Sequence, residues 1–209
     1  LKTTIFNKFK MYDDAKEIAE HALQLAARER KFDCCFEIWT TLGSVYKNMG
    51  NFTLSKICLK TALRFGSKVT RKKHLADNRK ELGILYVHEG ELTHAQALLE
   101  KAVDISKKYN DSLVQCESLY CLSECYSRQD LDNNALLCLE QAHEIAEKHS
   151  FDHQEQKITL KLSKMYKKID PFKHKKYHDR FYQLSLNINE GGTEIVNLNQ
   201  KGHAEPPDS

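Results

Sequence analysis

The stretch Trp39–Tyr46, WTTLGSVY, has the spacing of a helix yet carries a glycine in its middle. The frame returns as LGILY at Leu82–Tyr86 and, with serine in place of glycine, as LSECY at Leu122–Tyr126. Leu42, Leu82, Leu122 and Leu162 follow one another at intervals of 40 residues. Each precedes a small residue (Gly43, Gly83, Ser123, Ser163) and, three positions further, Tyr46, Tyr86, Tyr126 or Tyr166. Turn residues come next, at Gly50, Gly90, Asp130 and Asp170. Small residues recur at Ser55, Ala95 and Ala135, then at Ala62, Ala102 and Ala142; an earlier copy keeps only its end, Ala15 and Ala22. A fixed period of this length marks a stacked repeat.

Each repeat reads as two helices. Trp39, Leu42 and Tyr46 form one apolar stripe, and Leu54, Cys58, Leu59, Ala62 and Leu63 form a second beyond the turn. Neither helix can bury its stripe alone, whereas antiparallel pairs stacked on the next pair can. This explains the glycine. Gly43 costs its helix about 1 kcal/mol relative to alanine, which is tolerable where the missing side chain admits a partner helix. Ser55, Ala95 and Ala135 supply the matching small surface, and the tyrosines are expected in the wedge between adjacent pairs. The chain holds 8 Gly and 3 Pro, of which three Gly and two Pro lie beyond residue 190, so the rest is free to form long helices.

Trp39-x2-Leu42-Gly43-x2-Tyr46, with Ala62 at the later small position, resembles the tetratricopeptide repeat (TPR) family. The departures are Ser55 where alanine is usual, Leu59, Leu99 and Leu139 where an aromatic is common, and no closing proline. The period of 40 exceeds the usual 34 and implies longer helices, as in the long-helix members of scaffold and adaptor proteins. The resemblance covers about residues 1–170. It implies an all-α fold, a right-handed α-solenoid of stacked antiparallel helix pairs.

The expected layout is one domain over 1–188: a partial repeat 1–30, then repeats 31–68, 69–109, 110–150 and 151–188. The last ends in a capping helix from about Phe172 to Leu186, opened by Pro171 and carrying Tyr177, Phe181 and Leu184 at i, i+4, i+7. Residues 189–209, with Gly-Gly, Pro-Pro and little apolar content, read as a disordered tail. The first residue is Leu1 rather than Met, and the sequence is expected to be a piece of something longer.

Several function classes find no support. No apolar run is long enough to span a membrane, and no signal-peptide pattern opens the chain; the expected location is intracellular, cytoplasmic or nuclear. The seven cysteines include no CxxC pair and read as reduced thiols packed like small apolar residues. Cys121 and Cys125 share a helix face, but no histidine follows at metal-site spacing, so no metal and no cofactor is expected. Ten histidines stand scattered without a nucleophile, acid or phosphate motif around them, and no catalytic residues are assigned. The net charge of +3 gives no general argument for nucleic acid.

Function is therefore expected on a surface. In TPR arrays the first helices of the repeats line a concave side that holds a peptide. The stripe opposite the core is Glu37, Thr41, Ser44 and Asn48; Asp77, Glu81, Ile84 and His88; Glu117, Cys121, Glu124 and Arg128; and Lys157, Lys161, Lys164 and Lys168. These are the expected partner-binding residues, against the plainer reading of a solvated face. The first three sets look acidic and the last is wholly basic, which points to a partner protein segment, extended or helical, acidic at the C-terminal end of the groove and basic or apolar elsewhere. Alternatives are a nucleic-acid or acidic-lipid binder using the lysines, although surface aromatics for base stacking are missing around them, and a peptide-sensing regulatory domain. The resemblance also implies what the groove lacks. Thr40 and Ser44 stand where a lysine and asparagine clamp for a chaperone C-terminus would be, so no EEVD-ended peptide should bind.

Overall fold

The structure, a computed structural model, describes residues 12–201. The opening of the partial repeat and the last eight residues of the expected tail lie outside them. The described residues are helices and short turns, with no strand. The helices are α1 (Tyr12–Arg28), α2 (Phe32–Asn48), α3 (Phe52–Arg64), α4 (His74–Glu89), α5 (Leu92–Lys108), α6 (Ser112–Ser127), α7 (Asp132–Lys148), α8 (Asp152–Tyr166) and α9 (Pro171–Lys201). None is long and apolar enough to cross a membrane. The chain divides into two units, Leu1–Ala135 and Leu136–Ser209, and the division falls inside α7.

In the first unit, α2 packs with α3, and α4 with α5. Each pair stacks on the next: α1 meets α2, α3 meets α4, and α5 meets α6. The first helices α2, α4 and α6 also neighbour one another in turn. The expected close approach lies inside each pair. Ser55 Oγ donates a 2.7 Å hydrogen bond to the Gly43 carbonyl, so serine where alanine is usual adds a bond between paired helices. Leu59, Leu99 and Leu139 are fully buried, and the first two fill the notches left by Gly43 and Gly83. The tyrosines bridge repeats as expected. Tyr46 packs with Ala19 and Cys58, Tyr86 packs on Leu59 and Leu82, and the Tyr126 hydroxyl donates to Glu100 at 3.0 Å.

The turns within pairs use left-handed backbone at Gly50 and Gly90, with φ of 79° and 80°, and at Asp130 with 57°. Asp170 does something else. Its carboxylate accepts from the amides of Phe172 and Lys173, both at 3.0 Å, and so caps α9 ahead of Pro171. The turns between pairs use the same left-handed trick at Arg30, Asn110 and Ser150. The fourth such junction, between α3 and α4, is a longer loop pinned by buried Val69. There Asp33 accepts from the Thr70 and Arg71 amides at 2.9 and 3.2 Å.

In the second unit α9 lies along α8, with Tyr177 and Leu184 buried and Phe181 half-buried, as expected of a cap. The Tyr166 hydroxyl donates to Glu140 at 2.7 Å, in the register of Tyr126 and Glu100. Ile158 and Leu162 are core residues, but Ile169 is 63% exposed because α8 ends at Tyr166 and the helical register with it. α9 runs to Lys201, past the expected end near Leu186 and into the stretch read as a tail. Its two glycines each cost about 1 kcal/mol relative to alanine but do not force a break, and after Pro171 no proline comes before Pro206.

Candidate functional site

Two cavities open along the first helices of the first unit. One, of about 240 Å³, is lined by Phe36, Glu37, Thr40 and Thr41 of α2 and by His74 and Asp77 of α4. The other, of about 340 Å³, is lined by Ile84, Val87 and His88 of α4 and by Tyr120, Cys121, Glu124 and Arg128 of α6 and its C-cap. Of the expected stripe, Glu37, Thr41 and Asp77 thus meet in the first, and Ile84, His88, Cys121, Glu124 and Arg128 in the second. Ser44, Asn48, Glu81 and Glu117 line neither.

The acidic field expected on these helices is compensated from within. Lys80 is buried, and its ammonium lies 2.9 Å from Asp77, 3.6 Å from Glu81 and 2.6 Å from Glu117. Glu81 also pairs with Lys47 of the preceding repeat. Burial opposes the charge on Lys80, but Asp77, Glu81 and Glu117 outweigh it and hold its pKa above the usual lysine value. Glu37 has Arg71 at 3.2 Å, and Glu124 has Arg128 at 3.3 Å. Reading one stripe alone missed this, because Lys47 and Lys80 sit beside the stripe. Lys80 shares its repeat position with Thr40 and Tyr120, each of which lines one of the two cavities, but its contact with Glu117 cannot be read from that position.

Beneath the smaller cavity Asn78 is wholly buried. Its Nδ2 donates to Thr40 Oγ1 at 2.9 Å and to the Leu59 carbonyl at 3.3 Å, tying α4 to the preceding pair. In the larger cavity Arg128 reaches across α4 and donates to the Val87 carbonyl at 2.9 Å. The guanidinium joins a lining that also holds Ile84, Val87, His88, Tyr120, Cys121 and Glu124. Burial pushes the Cys121 thiol up to about 12, with neighbouring Lys80 opposing, and Cys58 and Cys116 to about 11 and 12. Such thiols are poor nucleophiles at neutral pH. Among the described residues no group of three His, Cys, Asp or Glu could hold a metal ion.

A third cavity, of about 480 Å³, lies away from the stripe and went unread in the sequence; Lys60 and Leu63 of α3, Leu82 and Tyr86 of α4, and Leu98 and Lys101 of α5 help to line it. The Lys56 ammonium sits 4.3 Å from the centre of the Tyr86 ring there.

The lysine set belongs to the second unit. Lys157 and Lys164 are exposed on α8, Lys161 is half-buried, and Lys168 is exposed just past the helix end. Nearby, Lys173 pairs with Glu140 at 2.9 Å and lies 4.8 Å from the centre of the Tyr166 ring. Hydrogen bonds from Tyr166 and Lys173 hold the Glu140 carboxyl below its ordinary value.

The model of the tetratricopeptide repeat family matches residues 34–108 and again 78–148, together more than half of the chain. Three solved structures share the fold. The nearly identical TPR-like repeats assigned to a kinesin light chain of Podosopora anserina are 19% identical, with a TM-score of 0.65 over 89% of this chain and 92% of that one. BtubC (BKLC) of P. vanneervenii is 14% identical, with a TM-score of 0.67 over 96% and 94%. MamA is 16% identical, with a TM-score of 0.57 over 90% and 95%. No curated protein matches the sequence.

Proposed function

The chain belongs to the tetratricopeptide repeat family, and from that premise we propose that it is a non-catalytic scaffold holding a segment of a partner protein along α2, α4 and α6. Members of the family mediate protein–protein interactions and are typically non-catalytic. The observation that carries the reading is the cavity of about 340 Å³ walled by Ile84, Val87 and Tyr120, with Arg128 at its rim. Its size and lining suit one bulky apolar side chain, held while Arg128 and Glu124 meet the flanking backbone. Because Lys47 and Lys80 offset most of the charge of Asp77, Glu81 and Glu117 nearby, the segment here is apolar or uncharged rather than basic. Ser44, Asn48, Glu81 and Glu117 are proposed as its shoulders.

The exposed lysines of the second unit support a second contact, with an acidic stretch of the partner. Seven cysteines without a disulfide support an intracellular location, cytoplasmic or nuclear.

The test is selection of binding peptides from a random library on the whole chain, followed by affinity measurement. Ile84→Asp should weaken the selected peptides roughly tenfold or more. Leu137→Asp, at an exposed position off the groove, should leave them unchanged. Equal affinity for wild type and Ile84→Asp would refute the groove.

A further inference from the structure

The outer face of α9 has an order of its own. Tyr177, Arg180 and Leu184 face α8, where Arg180 makes a two-pronged pair with buried Glu155 at 2.6 and 3.0 Å. On the opposite side stand Phe172, Lys175, Asp179, Tyr182 and Leu186, separated by three, four, three and four residues. That alternation keeps the five on one stripe of the helix, at the spacing that a two-helix coiled coil also uses. Phe172 is 81% exposed, Tyr182 60% and Leu186 46%, and Lys175 and Asp179 are exposed between them. A solvated face does not ordinarily repeat large apolar residues in this register.

We propose that this face binds the same face of a second copy of the chain, antiparallel, about a two-fold axis at the level of Tyr177. The argument is self-complementarity. Such an axis sets the residue n positions before 177 in one copy opposite the residue n positions after it in the other. Lys175 then meets Asp179 of the other copy, and Asp179 meets its Lys175. Phe172 meets Tyr182, twice over. Leu186 runs past Pro171 of the other copy, where its α9 begins, toward exposed Ile169. Parallel pairing would instead oppose Lys175 to Lys175 and Asp179 to Asp179, so charge selects the antiparallel arrangement. Within the chain the approach to Asp179 is loose: His178 Nδ1 lies 3.9 Å from its carboxylate. One helix pair of this length falls short of the roughly 1,200 Å² of a standard stable interface, so the dimer is weak and depends on concentration.

Sedimentation velocity on the whole chain, from micromolar to submillimolar, should show monomer passing into dimer. Lys175→Glu alone and Asp179→Lys alone should each weaken the dimer roughly tenfold or more, with an unchanged helical signal. Mixing these two variants should restore dimer, because each then supplies the charge the other needs; the double variant Lys175→Glu/Asp179→Lys should dimerise by itself. Phe172→Ala with Tyr182→Ala should abolish it. A wild-type chain monomeric throughout, whether because residues 202–209 or another protein takes the face, overturns the proposal. So does a dimer indifferent to the single reversals, or one that mixing fails to restore.

Discussion

Gly83 and Leu99 compete for one space: a Cβ on Gly83 would lie 2.7 Å from Leu99 Cγ and 2.9 Å from its Cδ2. Gly43 stands to Leu59 in the same relation, at 2.6 and 2.7 Å. The glycine in the repeat and the leucine that replaces the usual aromatic are thus one device. Leucine at Gly83 should overpack the pair and cost about 1–3 kcal/mol. Alanine should cost less, since its better helix propensity returns up to about 1 kcal/mol. Gly83→Leu combined with Leu99→Ala should recover part of the loss. Thermal unfolding followed by the helical signal checks this; an unchanged midpoint in Gly83→Leu would contradict the pairing.

Lys80 joins α4 to α6 through Glu117 and, by way of Glu81 and Lys47, to α2. Replacing it with methionine leaves three carboxylates facing one another with Lys47 alone to offset them. Breaking a buried pair costs about 3–5 kcal/mol, and the lower end applies because Asp77 and Glu117 keep 45% and 32% of their side-chain surface in solvent. Glu117→Gln added to Lys80→Met should restore part of the stability. The folded pKa of Lys80 lies above its ordinary 10.5, so its contribution is complete below pH 10.5 and fades as pH rises through the folded value. Chemical denaturation of the two variants gives the comparison.

The repeat, its period, the helix pairs and the small-residue contacts could all be read from the sequence because each depends on spacing along one helix or on a single period. Part of the proposed site could be read the same way: Ile84, Cys121 and Arg128 fall on the expected stripe by register and line one cavity. What stayed hidden depends on the offset between helices. Lys80 bonds to Glu117, 37 residues on, and Asp33 caps Thr70 at the same separation. Neither contact follows from a helical wheel, since a shift of one residue between neighbouring helices would break both. The stripe therefore looked acidic when it is compensated. Asp170 looked like a turn residue because it keeps the period, yet Pro171 next to it makes it a cap.

His143 is buried in the second unit, with its Nε2 3.5 Å from a Glu155 oxygen already held by Arg180. Burial holds its pKa below the usual 6.5; Glu155 and Glu147 oppose the shift, and Lys176 and Arg180 reinforce it. The unfolded chain therefore takes up the proton first as pH falls. Stability from this residue is intact above pH 6.5 and declines below it. The thermal midpoint should drop between pH 7.5 and 5.5, and His143→Gln should flatten that dependence. Glu140 and Asp33, lowered from 4.5 and 3.8, act only in more acid solution. A midpoint that rises on acidification through this window would contradict the assignment.

Lys164 has Lys161 three residues before it on α8, and Lys167 and Lys168 follow just past the helix end. Like charges three residues apart on a helix cost about 0.2–0.5 kcal/mol per pair. Glu at 164 turns the repulsion from Lys161 into an attraction, so Lys164→Glu should raise stability slightly, by about 0.5–1 kcal/mol at low salt. The same change should weaken an acidic ligand. A fluorescent oligoglutamate peptide should lose several-fold in affinity for Lys164→Glu, and its binding to wild type should fall as salt rises. Heparin and anionic vesicles make the comparison specific: if they bind wild type far more tightly than the peptide does, and with the same lysine dependence, the face reads polyanions rather than a protein segment. If stability rises while the affinity for all three stays the same, the lysines are a solvated face. A stability cost held in place with a measurable gain in acidic-ligand binding is the outcome expected of a surface kept for a partner.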